Sequence, residues 1–169
     1  MPEIKEIEKF PRRIHRIEPS ATMAVVDKAA TMKRNGQDII DLGVGEPDCE
    51  TPSHIKQAAI EALNAGYTRY TKNVGIDELR QAIASKLNRV NQLEYEPEQI
   101  IVCNGGKHAL FNAMMSILGD GDEIIIFSPY WVTFPEMAKL AGADPVIIET
   151  NDTNGFQPNI DQVLDKIST

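Results

Sequence analysis

Apolar residues recur along this chain with two periods, and each period predicts its own kind of element. Met23, Val26 and Ala30 follow Pro19-Ser20 at helical spacing, so a helix is expected there, with Ser20 as its N-cap and Gly36 as its stop. Thr51-Pro52 opens a second helix in the order cap, then proline at the first helical position. Its stripe is Ile55, Ala59 and Leu63 or Ala62, and Gly66 closes it. Leu79, Ile83, Leu87 and Val90 mark a longer amphipathic helix. Phe134, Met137, Ala138 and Ala141 predict another, ended by Gly142, and Ile160, Val163, Leu164 and Ile167 a last amphipathic segment.

Between these lie short apolar runs that read as strands. Ile39-Ile40-Asp41-Leu42 is one, and Ile100-Ile101-Val102-Cys103 is a fully apolar one that runs into a paired-glycine turn and then a helix. Glu123-Ile124-Ile125-Ile126-Phe127 is expected to be buried on both faces, as a parallel sheet demands, after the emphatic turn Gly119-Asp120-Gly121-Asp122. Pro145-Val146-Ile147-Ile148 is a further strand. Strands alternating with helices imply an α/β fold with a mainly parallel sheet and flanking helices. Residues 1–17 mix charge with isolated Ile4, Ile7, Phe10 and Ile14, and read as an arm that packs on something else or a partly ordered terminus.

Composition narrows the partners. The chain has 169 residues and a net charge of −8, which speaks against a nucleic-acid groove or an anionic membrane surface. No apolar run approaches a membrane span, and Met1-Pro2-Glu3-Ile4-Lys5-Glu6 has no apolar signal core. Cys49 and Cys103 stand in unrelated contexts without CxxC spacing, Cys103 reading as a buried thiol, so a reducing, cytoplasmic setting is expected.

Ligands on open α/β sheets bind beyond the carboxyl ends of the strands. Two such ends carry unusual residues. Asn104-Gly105-Gly106-Lys107 offers backbone donors and a cation at a helix N-terminus, which suits an anion and most often phosphate; the other reading is a tight strand–helix turn without a ligand. Ser128-Pro129-Tyr130-Trp131 offers two aromatic rings behind a strand, a platform for a flat ring or else a core anchor. Cradle and platform together point to a phosphorylated aromatic cofactor. There is no G-x-G-x-x-G, no G-x-x-x-x-G-K-[ST] and no G-x-S-x-G, and His15, His54 and His108 have no ligand partners at metal-binding spacing.

Five stretches in register carry a resemblance. Pro19-Ser20-Ala21-Thr22, Gly43-Val44-Gly45-Glu46-Pro47-Asp48, Thr68-Arg69-Tyr70-Thr71, Gly105-Gly106-Lys107-His108-Ala109-Leu110-Phe111-Asn112 and Ser128-Pro129-Tyr130-Trp131 resemble the class I aminotransferases of PLP fold type I. The likeness is closest to the bacterial aspartate aminotransferases with a lysine after the paired glycines, and it runs from about residue 12 to the end. It implies pyridoxal 5′-phosphate as cofactor. Gly105, Gly106 and Lys107 match the phosphate cradle, and Trp131 the aromatic that stacks on the pyridine ring and lies along the substrate. Gly45 matches the glycine whose N–H meets the substrate α-carboxylate. Tyr70 matches the tyrosine that reaches the phosphate of a neighbouring subunit, which implies a homodimer with shared sites. Lys107 also matches a lysine that reads an acidic side chain; a first-turn cation is not favoured by the helix dipole, which favours a ligand role over a merely solvated one.

The resemblance further implies transfer of an amino group between an L-amino acid, aspartate being expected, and 2-oxoglutarate. In the family a lysine bonds the cofactor, an aspartate, an asparagine and a tyrosine hold its ring, and an arginine clamps the substrate. All five belong to the family's second half, so the chain is expected to be an N-terminal part, inactive alone and without the Schiff-base lysine. Residues 1–48 would be an arm and the first part of the small domain, and residues 49–169 the first part of the large cofactor-binding domain. The family's sheet inserts later strands between the first and second, so the three strands after residue 99 would not be neighbours as they are in the complete fold. Glu18 stands where prephenate-accepting relatives carry a basic residue, so aspartate or glutamate is expected rather than prephenate. Other readings are a fold-type-I β-lyase, a different aminotransferase, or a non-catalytic binding module.

Overall fold

The computed structural model describes residues 10–167; Ile4 and Ile7 of the expected arm, and the extreme N-terminus read for a signal core, lie outside the described residues. In chain order the elements are α1 (Arg12–His15), α2 (Ala21–Arg34), α3 (Ser53–Asn64), α4 (Asp77–Lys86), α5 (Gly106–Ile117), β1 (Glu123–Ser128), α6 (Thr133–Ala141), β2 (Asp144–Glu149) and α7 (Ile160–Leu164). They fall into two compact units. One holds the described residues of Met1–Gly45 and Leu110–Thr169, the other Glu46–Ala109, with the second boundary inside α5.

The first unit is built on β1–α6–β2. The strands run parallel, with Glu123 opposite Asp144 and Ser128 opposite Glu149. Their pairing corrects the expectation that they would not be neighbours: the nine-residue α6 spans the short crossover and lies against both. Ala138 and Ala143 are fully buried and Ile148 is 3% exposed, so the core sits between this helix and the sheet. Burial of β1 on both faces does not hold among the described residues. Ile126 is buried and Phe127 is 40% exposed, because β2 is the only strand paired with β1 there.

Ser20 caps α2 as expected, its Oγ accepting from the Met23 N–H at 3.3 Å. The buried position is Ala29, with Thr22 and Val26 half-buried, whereas Met23 and Ala30 face out; the period is right and the phase is shifted. Arg16, just after α1, reaches the far end of α6. Its guanidinium donates to the Gly142 and Ala143 carbonyls at 2.9 Å each and to the Asp144 carboxylate. The Glu18 N–H donates to Glu136 Oε2 at 2.8 Å. These bonds tie the segment before α2 to α6. Ile39–Leu42 is not a strand: Ile40 and Leu42 are each 90% exposed, and among the described residues no strand lies alongside to form a ladder. Asp41 turns the chain instead, accepting from the Gly43 N–H and from Lys33 Nζ, both at 3.1 Å. The α7 face is apolar as expected but open, with Ile160 68% and Leu164 61% exposed.

In the second unit, α3 begins one residue later than expected. Pro52, at φ −52°, takes the cap position and supplies no side-chain acceptor. Its stripe is exposed apart from the half-buried Ala62. The long helix expected over Leu79–Val90 is α4 followed by a π-helical turn, Leu87–Asn91, which ends on Gln92 in the left-handed region at φ 57°. Its inward face is Arg80, Ile83, Ala84 and Leu87, so an arginine occupies a position the pattern would give to an apolar residue.

Ile100–Cys103 is also not a strand. Ile100 is extended and 8% exposed, but Ile101 is 66% exposed and Cys103 is half-buried rather than buried. A strand needs a partner's backbone, and this segment instead makes one such bond, from the Val102 N–H to the Val74 carbonyl at 3.0 Å. Gly75 sits beneath it at φ +102°, where an added Cβ would stand 2.6 Å from Val102 Cγ2. Only glycine fits both the dihedral and the space.

Candidate functional site

The turn into α5 is the most specific local structure among the sequence-derived candidates. Gly105 has φ +83°, a conformation that costs a residue with a Cβ about 1–2 kcal/mol. It bends the chain sharply, its N–H donating to the Cys103 carbonyl at 2.8 Å, while its own carbonyl accepts the first helical bond from Ala109 at 3.2 Å. The Asn104 N–H donates to His108 Nδ1 at 3.2 Å, so the imidazole braces the turn with that nitrogen unprotonated. Gly106 and Lys107 open the helix, and their N–H groups belong to the first turn, which has no intrahelical acceptors. An ideal Cβ at Gly105 or Gly106 would meet nothing within 4 Å. Open space, outward N–H groups and an adjacent lysine fit a phosphate group in size and charge.

Tyr70 lies in the same unit on the loop between α3 and α4, its side chain fully exposed. Two ties shape the end of that loop. Lys72 Nζ bonds Asp77 Oδ2 at 2.6 Å, and the Gly75 N–H returns to the Lys72 carbonyl at 3.0 Å. The hydrogen bond from Lys72 holds the Asp77 carboxyl below the usual aspartate range despite an opposing desolvation, with the Arg80 charge adding to the effect.

Gly45 and Trp131 belong to the other unit. Gly45 follows the Asp41 turn in irregular backbone, and an added Cβ there would meet nothing within 4 Å. The Gly43 N–H, then Lys33, lower the Asp41 carboxyl below its ordinary value. Trp131 follows β1 through the cis Ser128–Pro129 peptide and is 47% exposed, with its carbonyl accepting from the Phe134 N–H at 2.9 Å. The strand end is latched to β2: the Thr150 N–H donates to Ser128 Oγ at 3.3 Å, and the Thr150 hydroxyl donates to the Ser128 carbonyl. Beside this platform a cavity of about 400 Å³ is lined by Glu18, Pro19, Tyr130, Val132, Pro135 and Glu136 among others. Partial burial opposes ionisation of Glu136, but Lys139 and the Glu18 N–H outweigh it and lower its pKa.

The structure thus brings Gly105, Gly106 and Lys107 together in one turn, with Tyr70 on a separate loop of that unit and Gly45 and Trp131 in the other. Sequence reasoning passed over Arg80, Asp77 and Lys72, which are bonded in a row that ends on the Ile100 carbonyl. Their signal was an arginine at helical spacing between Ile76 and Ile83. Among the described residues no helix is long and apolar enough to cross a membrane, and no group of three or more His, Cys, Asp or Glu could hold a metal ion.

Residues 37–169 match the family model for aminotransferase class I and II. The aspartate aminotransferase of Bacillus subtilis is 45% identical over 160 residues, covering 95% of this chain and 41% of that protein. The aspartate/prephenate aminotransferase of Thermus thermophilus is 49% identical over 152 residues, covering 90% of this chain and 40% of that protein. Among solved structures, the Thermus thermophilus aspartate aminotransferase with maleate superposes with a TM-score of 0.89 at 47% identity, over 94% of this chain and 42% of that one. The Rhizobium meliloti aspartate aminotransferase gives 0.90 at 41% identity, over 95% and 40%. The chain spans about two fifths of the length of the curated relatives it matches.

Proposed function

The chain belongs to the class I and II aminotransferases, and from that premise we propose that it serves PLP-dependent transfer of an amino group between an L-amino acid, aspartate first, and 2-oxoglutarate. The observation that carries this reading is the α5 turn: Gly105 at φ +83°, open space before the paired glycines, and a first-turn lysine. The relatives named above add aspartate as the substrate, and maleate, in one of them, is a dicarboxylate of similar size.

The residues present take binding roles in this reading. The first-turn N–H groups from Gly106 onward, with Gly105 shaping the turn and Lys107 adding charge, hold the phosphate. Trp131 offers its half-exposed ring as the face for the cofactor's pyridine and for the substrate. Gly45 directs its N–H to the substrate α-carboxylate, and Lys107 also reads the distal carboxylate. When bound, pyridoxal 5′-phosphate supplies the electron-withdrawing ring that makes the substrate α-proton removable. The protein's task is to place that ring and keep it from leaving.

The fully exposed Tyr70 supports a homodimer in which each copy lends this tyrosine to the other's phosphate. The exposed Cys49 suits a reducing compartment, and we place the protein in the cytoplasm. Glu18, lining the cavity beside Tyr130, would repel the ring carboxylate of prephenate, whereas the distal carboxylate of aspartate or glutamate goes to Lys107, so these two are preferred over prephenate.

The test uses the gene-encoded polypeptide. It should bind pyridoxal 5′-phosphate with a visible absorbance band and turn over aspartate with 2-oxoglutarate faster than cystathionine or prephenate. Absence of the band ends the cofactor reading, and faster turnover of cystathionine makes the protein a lyase.

A further inference from the structure

Among the described residues Arg80 is the one charged side chain that is buried, and the proposed reaction gives it no part. Burying a guanidinium is costly unless every donor is used well. Arg80 Nε donates to the Ile100 carbonyl at 3.1 Å, and Nη1 donates to Asp77 Oδ1 at 3.1 Å. The other Asp77 oxygen accepts from Lys72 at 2.6 Å. Three alternating charges therefore run from the loop that carries Tyr70 to the backbone of Ile100.

The second contact with that backbone comes from the same stretch. The Val74 carbonyl accepts from the Val102 N–H at 3.0 Å, and Gly75 lets the two segments approach closely enough for it. Ile100 and Val102 flank Ile101, so the segment is pinned on both sides of one residue. Two residues beyond Val102 comes Asn104, and then the Gly105 turn. Among the described residues no strand pairs with the segment, so these two contacts carry much of its course.

Resting on the cofactor reading above, we propose that the Lys72–Asp77–Arg80 chain is the positioning device of the phosphate cradle. It fixes where residues 100–104 run, and through them where the first-turn N–H groups of α5 point. Charge-assisted bonds from N–H groups to phosphate depend on direction, so small errors in that course weaken them. Because Lys72 leaves the Tyr70 loop, the same chain sets that loop against the segment leading to the cradle. Arg80 and Asp77 touch no cofactor in this scheme and act through backbone.

Binding of pyridoxamine 5′-phosphate and of pyridoxamine to the gene-encoded polypeptide isolates the effect, because the ratio of the two dissociation constants measures what the phosphate contributes. Asp77→Asn and Lys72→Met alter half-exposed side chains at the outer end of the chain, which keeps the test independent of whether an Arg80 variant folds. Each should shrink the phosphate's advantage by about tenfold, the worth of one charge-assisted bond. Pyridoxamine affinity should stay within about twofold. Glu78→Gln, a neighbouring exposed carboxylate outside the chain, should leave the ratio unchanged. If Asp77→Asn and Lys72→Met lower the unfolding temperature but keep the ratio, the three residues are merely structural and the inference is overturned. A wild-type protein that binds both ligands equally well overturns the cofactor reading instead.

Discussion

Residues 123–128 and residues 100–104 each bring an apolar run up to a turn proposed above to bear binding groups, and they are held by opposite means. The first is a strand, bonded along its length to β2 and covered by α6, with Ala138 and Ala143 fully buried. The second is tied to distant backbone through the Val102–Val74 bond, and further by one buried arginine and a glycine beneath it. A ladder spreads its load over many equivalent bonds, so no single one decides the result. A segment without a ladder depends more on each single contact. Trp131 therefore inherits its place from a sheet, and the approach to the Gly105 turn leans on a few long-range contacts.

Substitutions can break either side of this contrast. The largest loss is expected for Ile148→Ala in β2, which empties a fully packed position and should cost about 2–4 kcal/mol in urea unfolding. Gly75→Ala strikes the other region, where φ +102° and the 2.6 Å approach to Val102 both oppose a methyl group. It should cost about 1–3 kcal/mol and speed amide exchange at Val102 while leaving Ile126 protected.

Acid sharpens the contrast without a mutation. The folded Asp77 carboxyl is held below its ordinary value by Lys72 first and Arg80 second, so its contribution is complete above the usual aspartate range and lost as pH falls below it. Amide exchange at Val102, corrected for intrinsic rate, should therefore accelerate in that acid range earlier than exchange at Ile126. Simultaneous loss at both sites would show that Asp77 does not hold the segment. The smallest effect belongs to Ile101→Thr. Its side chain is 66% exposed although it sits in the most apolar run of its unit, and thermal unfolding should change by no more than about 0.5 kcal/mol.

Helix ends were readable because their causes are local. Ser20 caps α2, and Gly36, Gly66 and Gly142 follow helix ends with positive φ, as their positions in the sequence suggested. The strands at 123–128 and 144–149 were readable because their apolar runs have each other as partners across a short crossover. Ile39–Leu42 and Ile100–Cys103 have the composition of strands and no ladder among the described residues, and composition alone cannot supply one. The Gly105 turn was readable as well, since a positive φ at a glycine before a helix is encoded within a few residues. Its bracing was not. Arg80 meets Ile100 across twenty residues of sequence, and only the misplaced charge in an apolar stripe hinted at it.

The Arg16 clamp has a consequence for synthesis. Its nearest acceptor, the Gly142 carbonyl, lies 126 residues downstream, and Glu46–Ala109, the whole second unit, is made in between. At roughly 5–20 residues per second, the Arg16 guanidinium stays bonded to water, without its protein acceptors, for roughly 6–25 seconds. The first unit can close only after the second has emerged. The segment around Arg16 is thus made before the second unit and finds its place after it.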